Sequence, residues 1–144
     1  MPTSEDVSAL LNRLGLRPTK MRCLILQILL EKKIHPTPYQ LLEMLNQQEG
    51  EEISIATLYQ NLEKLVQEGL LKRFLDTKGL ARFDINLDPH YHLVCLNCGN
   101  IADVEENNVL HKSLNPLKKQ LPEDWQLNDI SVEFKGFCPE CRTS

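Results

Sequence analysis

The sequence predicts a mixed α+β chain in two modules. Three observations carry this: capped runs with helical apolar spacing over residues 4–68, two short runs joined by a glycine turn over 70–85, and two C-x-x-C pairs separated by 39 residues. A length of 144 residues suits one ordinary domain or two small ones. With 42% apolar and 25% charged residues, the chain has the composition of a folded protein, not a disordered one.

Ser4 is the expected cap of a first helix running to Leu14 and ended by Gly15. Pro18 breaks the chain, and Thr19 caps a second helix. Its apolar positions Met21, Leu24, Ile25, Ile28 and Leu29 recur at helical spacing, and His35-Pro36 is expected to end it. Thr37, Pro38 and Gln40 read as a capping box with proline at the first helical position. The third helix carries Leu41, Leu42 and Leu45 inward, and the loop Gln-Gln-Glu-Gly-Glu-Glu at 47–52 follows.

Ser54 caps a fourth helix over Ile55 to Glu68, with Leu58, Leu62, Leu65 and Val66 as its inner stripe and Gly69 closing it. Residues 70–75 and 80–85 are two strand-like runs around Asp76-Thr77-Lys78-Gly79, hence a hairpin. Helices followed by a hairpin give the element order of a winged helix-turn-helix, in which the last helix enters a DNA major groove.

Charge supports that reading only locally. The net charge of −4 argues against nucleic acid, but residues 1–82 carry +1 and residues 83–144 carry −5. Arg13, Arg17, Lys20, Arg22, Lys32 and Lys33 face one acid, Glu31, within 13–33, making a local positive field. Arg17, Lys20 and Arg22 are therefore candidates for phosphate contact. At the start of the fourth helix the candidate base-facing set is Ser54, Thr57, Tyr59, Gln60 and Asn61. Gln and Asn pair bidentately with adenine, and a Thr methyl or an aromatic ring meets the thymine methyl.

The second half carries metal chemistry. Cys95-Leu-Asn-Cys98 and Cys138-Pro-Glu-Cys141 supply four thiolates, the donor set of a closed structural Zn²⁺ site. A disulfide is the alternative, disfavoured for a cytosolic chain. Cys23, on the apolar stripe of the second helix, reads as core filler.

His90 and His92 alternate on a strand-like run and so project from one face, a geometry for two imidazoles on one metal. Asp103 lies on the run 100–104 and Asp84 at the end of the hairpin. The segment 109–121 reads as helical, with Pro116 expected to kink it or to start a new helix. Residues 130–134 read as a strand leading into the second C-x-x-C pair.

Taken together, Thr19 to Arg22 with the helix after it, His35-Pro36-Thr37, Ser54-Ile-Ala-Thr57-Leu-Tyr59-Gln-Asn-Leu62, Gly79 to Asp84, His90-Tyr91-His92, Cys95 to Cys98 and Cys138 to Cys141 resemble the ferric uptake regulator family. The resemblance runs from about residue 10 to 141 and is strongest to the peroxide-sensing branch. It implies a homodimeric, metal-dependent repressor of a pseudo-palindromic DNA operator. Residues 1–84 would be the winged-helix DNA-binding domain, and 85–144 an α/β dimerisation domain with the zinc site. It also implies a regulatory site of His35, Asp84, His90, His92 and Asp103 for Fe²⁺ or Mn²⁺, with His35 or His90 the rings oxidised when ferrous iron meets peroxide.

Two features favour the peroxide branch by resemblance. Asp84 stands where an iron-sensing relative has Glu and a zinc-sensing one Cys. Tyr91 stands where iron-sensing relatives often have Asp, and the C-terminal strand has no His to complete the further metal site of those relatives. Gln60 departs from an Arg common in iron-responsive members, so their operator does not transfer.

Three imidazoles and two carboxylates are a harder donor set than four thiolates and suit Fe²⁺ or Mn²⁺. A metal held from both modules would fix their angle, and in a dimer the two recognition helices must match about one DNA turn, roughly 34 Å. An iron-responsive regulator without peroxide sensing is the nearest alternative. A mononuclear non-haem iron enzyme lacks a substrate-pocket motif, so no enzyme is expected. A zinc-ribbon interaction module would leave the histidines unexplained. The opening Met-Pro-Thr-Ser-Glu-Asp has no basic or apolar leader, and the run Cys23 to Leu30 is far short of the roughly 20 residues that span a bilayer. A cytoplasmic location away from the membrane is the expectation.

Overall fold

Leucine and isoleucine at helical spacing close the first half of the chain around one core in a computed structural model of the protein. The structure describes residues 3–49, 52–128 and 130–142. The chain divides into two compact units, Met1–Leu87 and Asp88–Ser144.

The first unit runs α1 (Ser4–Arg13), α2 (Lys20–Lys32), α3 (Pro38–Glu49), α4 (Ile55–Gln67) and a hairpin of β1 (Lys72–Leu75) and β2 (Ala81–Asp84). Its core is Val7, Leu11, Ile25, Leu26, Leu29, Leu41, Leu45, Leu58, Leu62, Leu65 and Phe83, all essentially sealed from solvent. Each such large side chain contributes about 1.5–3 kcal/mol of transfer free energy. α2 buries Leu26 as well as the expected Cys23, Ile25, Ile28 and Leu29, so it sits inside the unit.

The caps differ from the sequence expectation at two ends. Thr3, not Ser4, caps α1: its hydroxyl accepts from the Asp6 amide, and the Asp6 carboxylate accepts from the Thr3 amide. A cap at Ser4 would place Val7 third in the helix, with no acceptor to return the bond. α2 ends at Lys32, three residues before His35, because Lys33 turns left-handed at φ 50°. That frees His35-Pro36 to leave the helix axis.

The other expected caps form. Thr19 accepts from Arg22 N, Ser54 from Thr57 N, and Thr37 and Gln40 bond each other's amides. α3 extends to Glu49, so the first part of the expected 47–52 loop is helical; Gly50 and Glu51 lie outside the described residues. Gly69 follows α4 at φ 76°, where a side chain would be strained.

The hairpin is antiparallel with Lys72 opposite Asp84 and Leu75 opposite Ala81. Its turn is fixed by Asp76, whose Oδ1 accepts from the amides of Lys78 and Leu80, both at 2.9 Å. Four helices and this wing make the first unit a winged helix-turn-helix.

The second unit has a sheet of order β4-β3-β5, where β3 is His90–Cys95, β4 Ile101–Glu105 and β5 Glu133–Gly136. β4 runs antiparallel to β3, and β5 parallel to it. β5 begins at Glu133, so the expected strand at 130–134 shifts toward the second C-x-x-C pair. The shift follows pairing: Glu133 to Gly136 bond along His92 to Cys95, which carries Cys138 to the first pair. α5 (Asn108–Lys118) runs through Pro116 instead of restarting there. Pro116 lies in the last turn, where a missing N–H interrupts little of the helix, and Asn107 caps the start by accepting from Leu110 N at 3.0 Å. No described helix is long and apolar enough to cross a membrane.

Candidate metal centres and nucleic-acid face

The two C-x-x-C turns meet at the end of the three-stranded sheet. β3 delivers Cys95, its turn presents Cys98, and β5 leads to Cys138 and Cys141. All four sulfurs lie within 4.8 Å of one another. The Cys98 and Cys138 sulfurs are 3.7 Å apart. That is the edge of a tetrahedron with a centre-to-sulfur length of about 2.3 Å, the zinc–thiolate distance.

Backbone and side-chain N–H groups surround the cluster. Cys138 N donates to Cys95 Sγ at 3.4 Å, Asn100 N to Cys98 Sγ at 3.4 Å, and Asn97 Nδ2 to Cys141 Sγ at 3.3 Å. The amides of Cys138 and Cys98 hold the Cys95 thiol down to about 6. Asn97 lowers Cys141, but the neighbouring thiols of Cys138, Cys98 and Cys95, with burial, push it up to about 12. Cys98 is raised too, its Asn100 bond outweighed by the other thiols and burial. Four thiolates this close require a cation to coexist, and the donor set fits Zn²⁺. Asn97 was not singled out from the sequence; an Asn inside a C-x-x-C turn is the signal that could have found it.

The other expected metal ligands are divided between the two units. In the second, β3 puts His90 and His92 on one face, with ring centroids 4.8 Å apart and Nε2 atoms 3.0 Å apart. Asp103 lies opposite His92 on β4, its Oδ1 3.4 Å from His90 Nε2 and 3.6 Å from His92 Nε2. Donors at these separations surround a point about 2 Å from each, the length of a metal bond to nitrogen or oxygen.

The tautomer agrees with that use. His90 Nδ1 is 2.6 Å from the carbonyl oxygen of Asp88, which can only accept, so Nδ1 carries the proton. His90 Nε2 therefore keeps its lone pair toward His92 and Asp103. Nitrogen, nitrogen and carboxylate oxygen converging there fit a hard or borderline divalent ion such as Fe²⁺ or Mn²⁺. Tyr91 points to the other face, where it is buried against Phe134, ring centroids 6.4 Å apart.

In the first unit, His35 and Asp84 are both buried, with Nε2 to Oδ2 at 3.3 Å. Neither ring nitrogen of His35 reaches solvent.

On α4 the expected base-facing residues divide. Thr57, Tyr59 and Gln60 are exposed. Asn61 is turned inward: its Nδ2 donates to Thr57 O at 2.9 Å and lies 3.1 Å from Met21 Sδ, while its Oδ1 accepts from Arg22 Nε at 3.2 Å. Its place one residue past the exposed arc brings it against α2, which the composition of the helix face does not reveal. Arg22 also donates to Arg17 O at 3.0 Å, so it braces the turn before α2; Arg17 and Lys20 are exposed. The Ser54 hydroxyl serves as the helix cap and is 2.7 Å from Thr57 Oγ1.

The family model described as "Ferric uptake regulator family" matches residues 13–135. The peroxide-responsive repressor PerR of Staphylococcus aureus is 31% identical over 140 residues, covering 96% of this chain and 90% of that protein. The solved ferric uptake regulator of Vibrio cholerae superposes with a TM-score of 0.73 at 28% identity, over 91% of this chain and 98% of that one. The solved PerR of Streptococcus pyogenes gives a TM-score of 0.52 at 26% identity, over 99% and 95%.

Proposed function

The chain belongs to the ferric uptake regulator family of metal-responsive transcriptional regulators, and on that premise we propose that it is a cytoplasmic, dimeric repressor whose operator binding depends on Fe²⁺ or Mn²⁺ and ends on exposure to peroxide. The observation that carries this reading is the convergence of His90 Nε2, His92 Nε2 and Asp103 Oδ1 on one point, with the His90 proton placed on the far nitrogen.

His35 and Asp84 complete the regulatory site, as the family resemblance implies. Residues 1–84 act as the DNA-binding domain and 85–144 as the metal-binding dimerisation domain, with zinc on Cys95, Cys98, Cys138 and Cys141. Tyr59, Gln60 and Thr57 read base edges, and Arg17 and Lys20 meet phosphates. Arg22 and Asn61 hold α4 against α2. The exposed apolar residues Leu93 and Phe134, paired across β3 and β5, support burial against a second copy. Ferrous iron held at the site would activate peroxide, and an imidazole of His35 or His90 would take one oxygen; an oxidised ring is a poorer ligand.

Fluorescence anisotropy of labelled duplex DNA across Fe²⁺, Mn²⁺ and Zn²⁺, with and without peroxide, tests the reading. Tight binding with Fe²⁺ or Mn²⁺, lost to peroxide only in the iron form, is expected. Binding that ignores the metal overturns the regulatory site. A second reading, a metal-responsive regulator indifferent to peroxide, is favoured by the 28% identity to the Vibrio cholerae regulator. It predicts iron-dependent binding that peroxide leaves intact.

A further inference from the structure

Arg82 and Asp84 lie two residues apart on β2, and both reach His35. Arg82 Nη1 donates to the carbonyl oxygen of His35 at 3.0 Å, and Asp84 Oδ2 is 3.3 Å from His35 Nε2. Between them the amide of Phe83 donates to the carbonyl of Pro36 at 3.3 Å. One strand thus grips His35 by backbone and ring together.

The guanidinium also reaches away from His35. Arg82 Nε donates to Asp76 Oδ2 at 2.9 Å, and the other Asp76 oxygen takes the amides of Lys78 and Leu80 that shape the wing turn. Nη1 is also 3.4 Å from Gln40 Oε1, the atom that accepts the Thr37 amide at the start of α3. Arg82 is only 9% exposed, and the Asp76 side chain 4%. Closing a wing turn does not require a buried arginine, which costs desolvation free energy. Linking a turn carboxylate to a main-chain carbonyl does require a planar, multi-donor group, which a lysine cannot replace.

We propose that Arg82 is a positioning residue that couples His35 to the wing: metal seated on His35 and Asp84 immobilises the Arg82–Asp76 pair and, through it, the turn Asp76–Leu80. The inference rests on the reading of His35 and Asp84 as regulatory ligands and adds the route by which their occupancy reaches the wing turn.

Hydrogen-exchange mass spectrometry on the full, zinc-loaded protein tests this without DNA, reading the peptide over residues 75–82 with and without Mn²⁺. In the parent, Mn²⁺ is expected to slow exchange there about tenfold, a tightening typical of a local opening coupled to a ligand. Arg82→Lys and Asp76→Asn should each abolish the slowing, and the double variant should behave as either single one. Asp76→Asn touches neither ligand side chain, so Mn²⁺ binding measured alongside shows that the ion is still seated when exchange is read. It carries the test if Arg82→Lys fails to fold.

Slowing that persists in Asp76→Asn, or a parent that binds Mn²⁺ with no change in this peptide, overturns the coupling while leaving metal-dependent DNA binding to stand. If His35→Ala leaves Mn²⁺ affinity unchanged, the regulatory-ligand reading fails, and the coupling fails with it.

Discussion

Asp103 stands directly across from His92 on neighbouring strands, and its Oδ1 lies 3.6 Å from the His92 ring nitrogen and 3.4 Å from that of His90. The relationship is set by the β3–β4 register, so three donors are placed by a ladder of backbone hydrogen bonds instead of a loop. Such a site is organised before any ion arrives, which lowers the ordering cost of binding.

Asp103→Ala removes a carboxylate oxygen that faces both rings. Mn²⁺ affinity, measured by competition with a chelating dye, should fall by at least about tenfold, since even outer-shell partners of metal ligands are worth 10–100-fold. Zinc content should be unchanged, because the Cys₄ cluster shares no residue with this site. An unchanged Mn²⁺ affinity would remove Asp103 from the site.

Cys95→Ser should abolish the zinc site and the cooperative melting of the second unit. β3 and β5 end in the two C-x-x-C turns, so the ion ties both strands. Structural zinc is worth on the order of 10 kcal/mol at neutral pH. Elemental analysis should find one zinc per chain in the parent and none in the variant. Retained thermal stability in the variant would contradict this.

On α4, Gln60→Ala and Asn61→Ala should fail in different ways. Gln60 is exposed, so its loss should re-rank operator variants by about 1–3 kcal/mol at the contacted base pair. Asn61 bonds Arg22 and the Thr57 carbonyl, so its loss should lower stability by about 1 kcal/mol and weaken all operators alike. Chemical denaturation and a panel of duplexes separate the two.

Acid should loosen the wing through Asp76. Burial alone would raise its carboxyl, but the amide of Leu80, the Arg82 guanidinium and the amide of Lys78 outweigh it and hold the group below its ordinary value. A carboxyl depressed on folding contributes stability that is full above its unfolded value of about 3.9 and is lost as pH falls through the lower folded value. Parent and Asp76→Asn should therefore converge in stability below about pH 4, with the parent the more stable at neutral pH. Denaturation midpoints across that range check the sign.

Much of this was legible in the sequence because the signals were local. Thr19, Thr37 and Ser54 cap their helices through neighbours three residues away, and His90 and His92 share a face by strand alternation alone. What stayed hidden depends on long-range partners. Asn61 looks like a base reader until α2 brings Met21 and Arg22 against it. Nothing local singles out Arg82, whose partners come together only when the 35–36 segment lies along β2. The strand before Cys138 could be placed only roughly, because its start depends on pairing with β3 across the whole unit.

Peroxide treatment should mark the histidines and spare the cysteines. His90 carries its proton on Nδ1, bonded to the Asp88 carbonyl, and so turns Nε2 toward His92 and Asp103. Iron held at that nitrogen would activate peroxide beside the ring. One peroxide oxygen would then be inserted into an imidazole C–H bond and the other would leave as water, so peroxide takes the two electrons lost by the ring and iron is unchanged overall. The four thiols lie in a separate cluster that fits one cation, and a metal-held thiolate is a weaker nucleophile toward peroxide than a free one. Fragment spectra of the iron form should show one added oxygen on His35 or His90, and the manganese form should show none. His90 and His92 sit two residues apart, so the fragments must resolve between them. DNA release that tracks cysteine oxidation, with both rings unmodified, would replace the histidine mechanism with a thiol one.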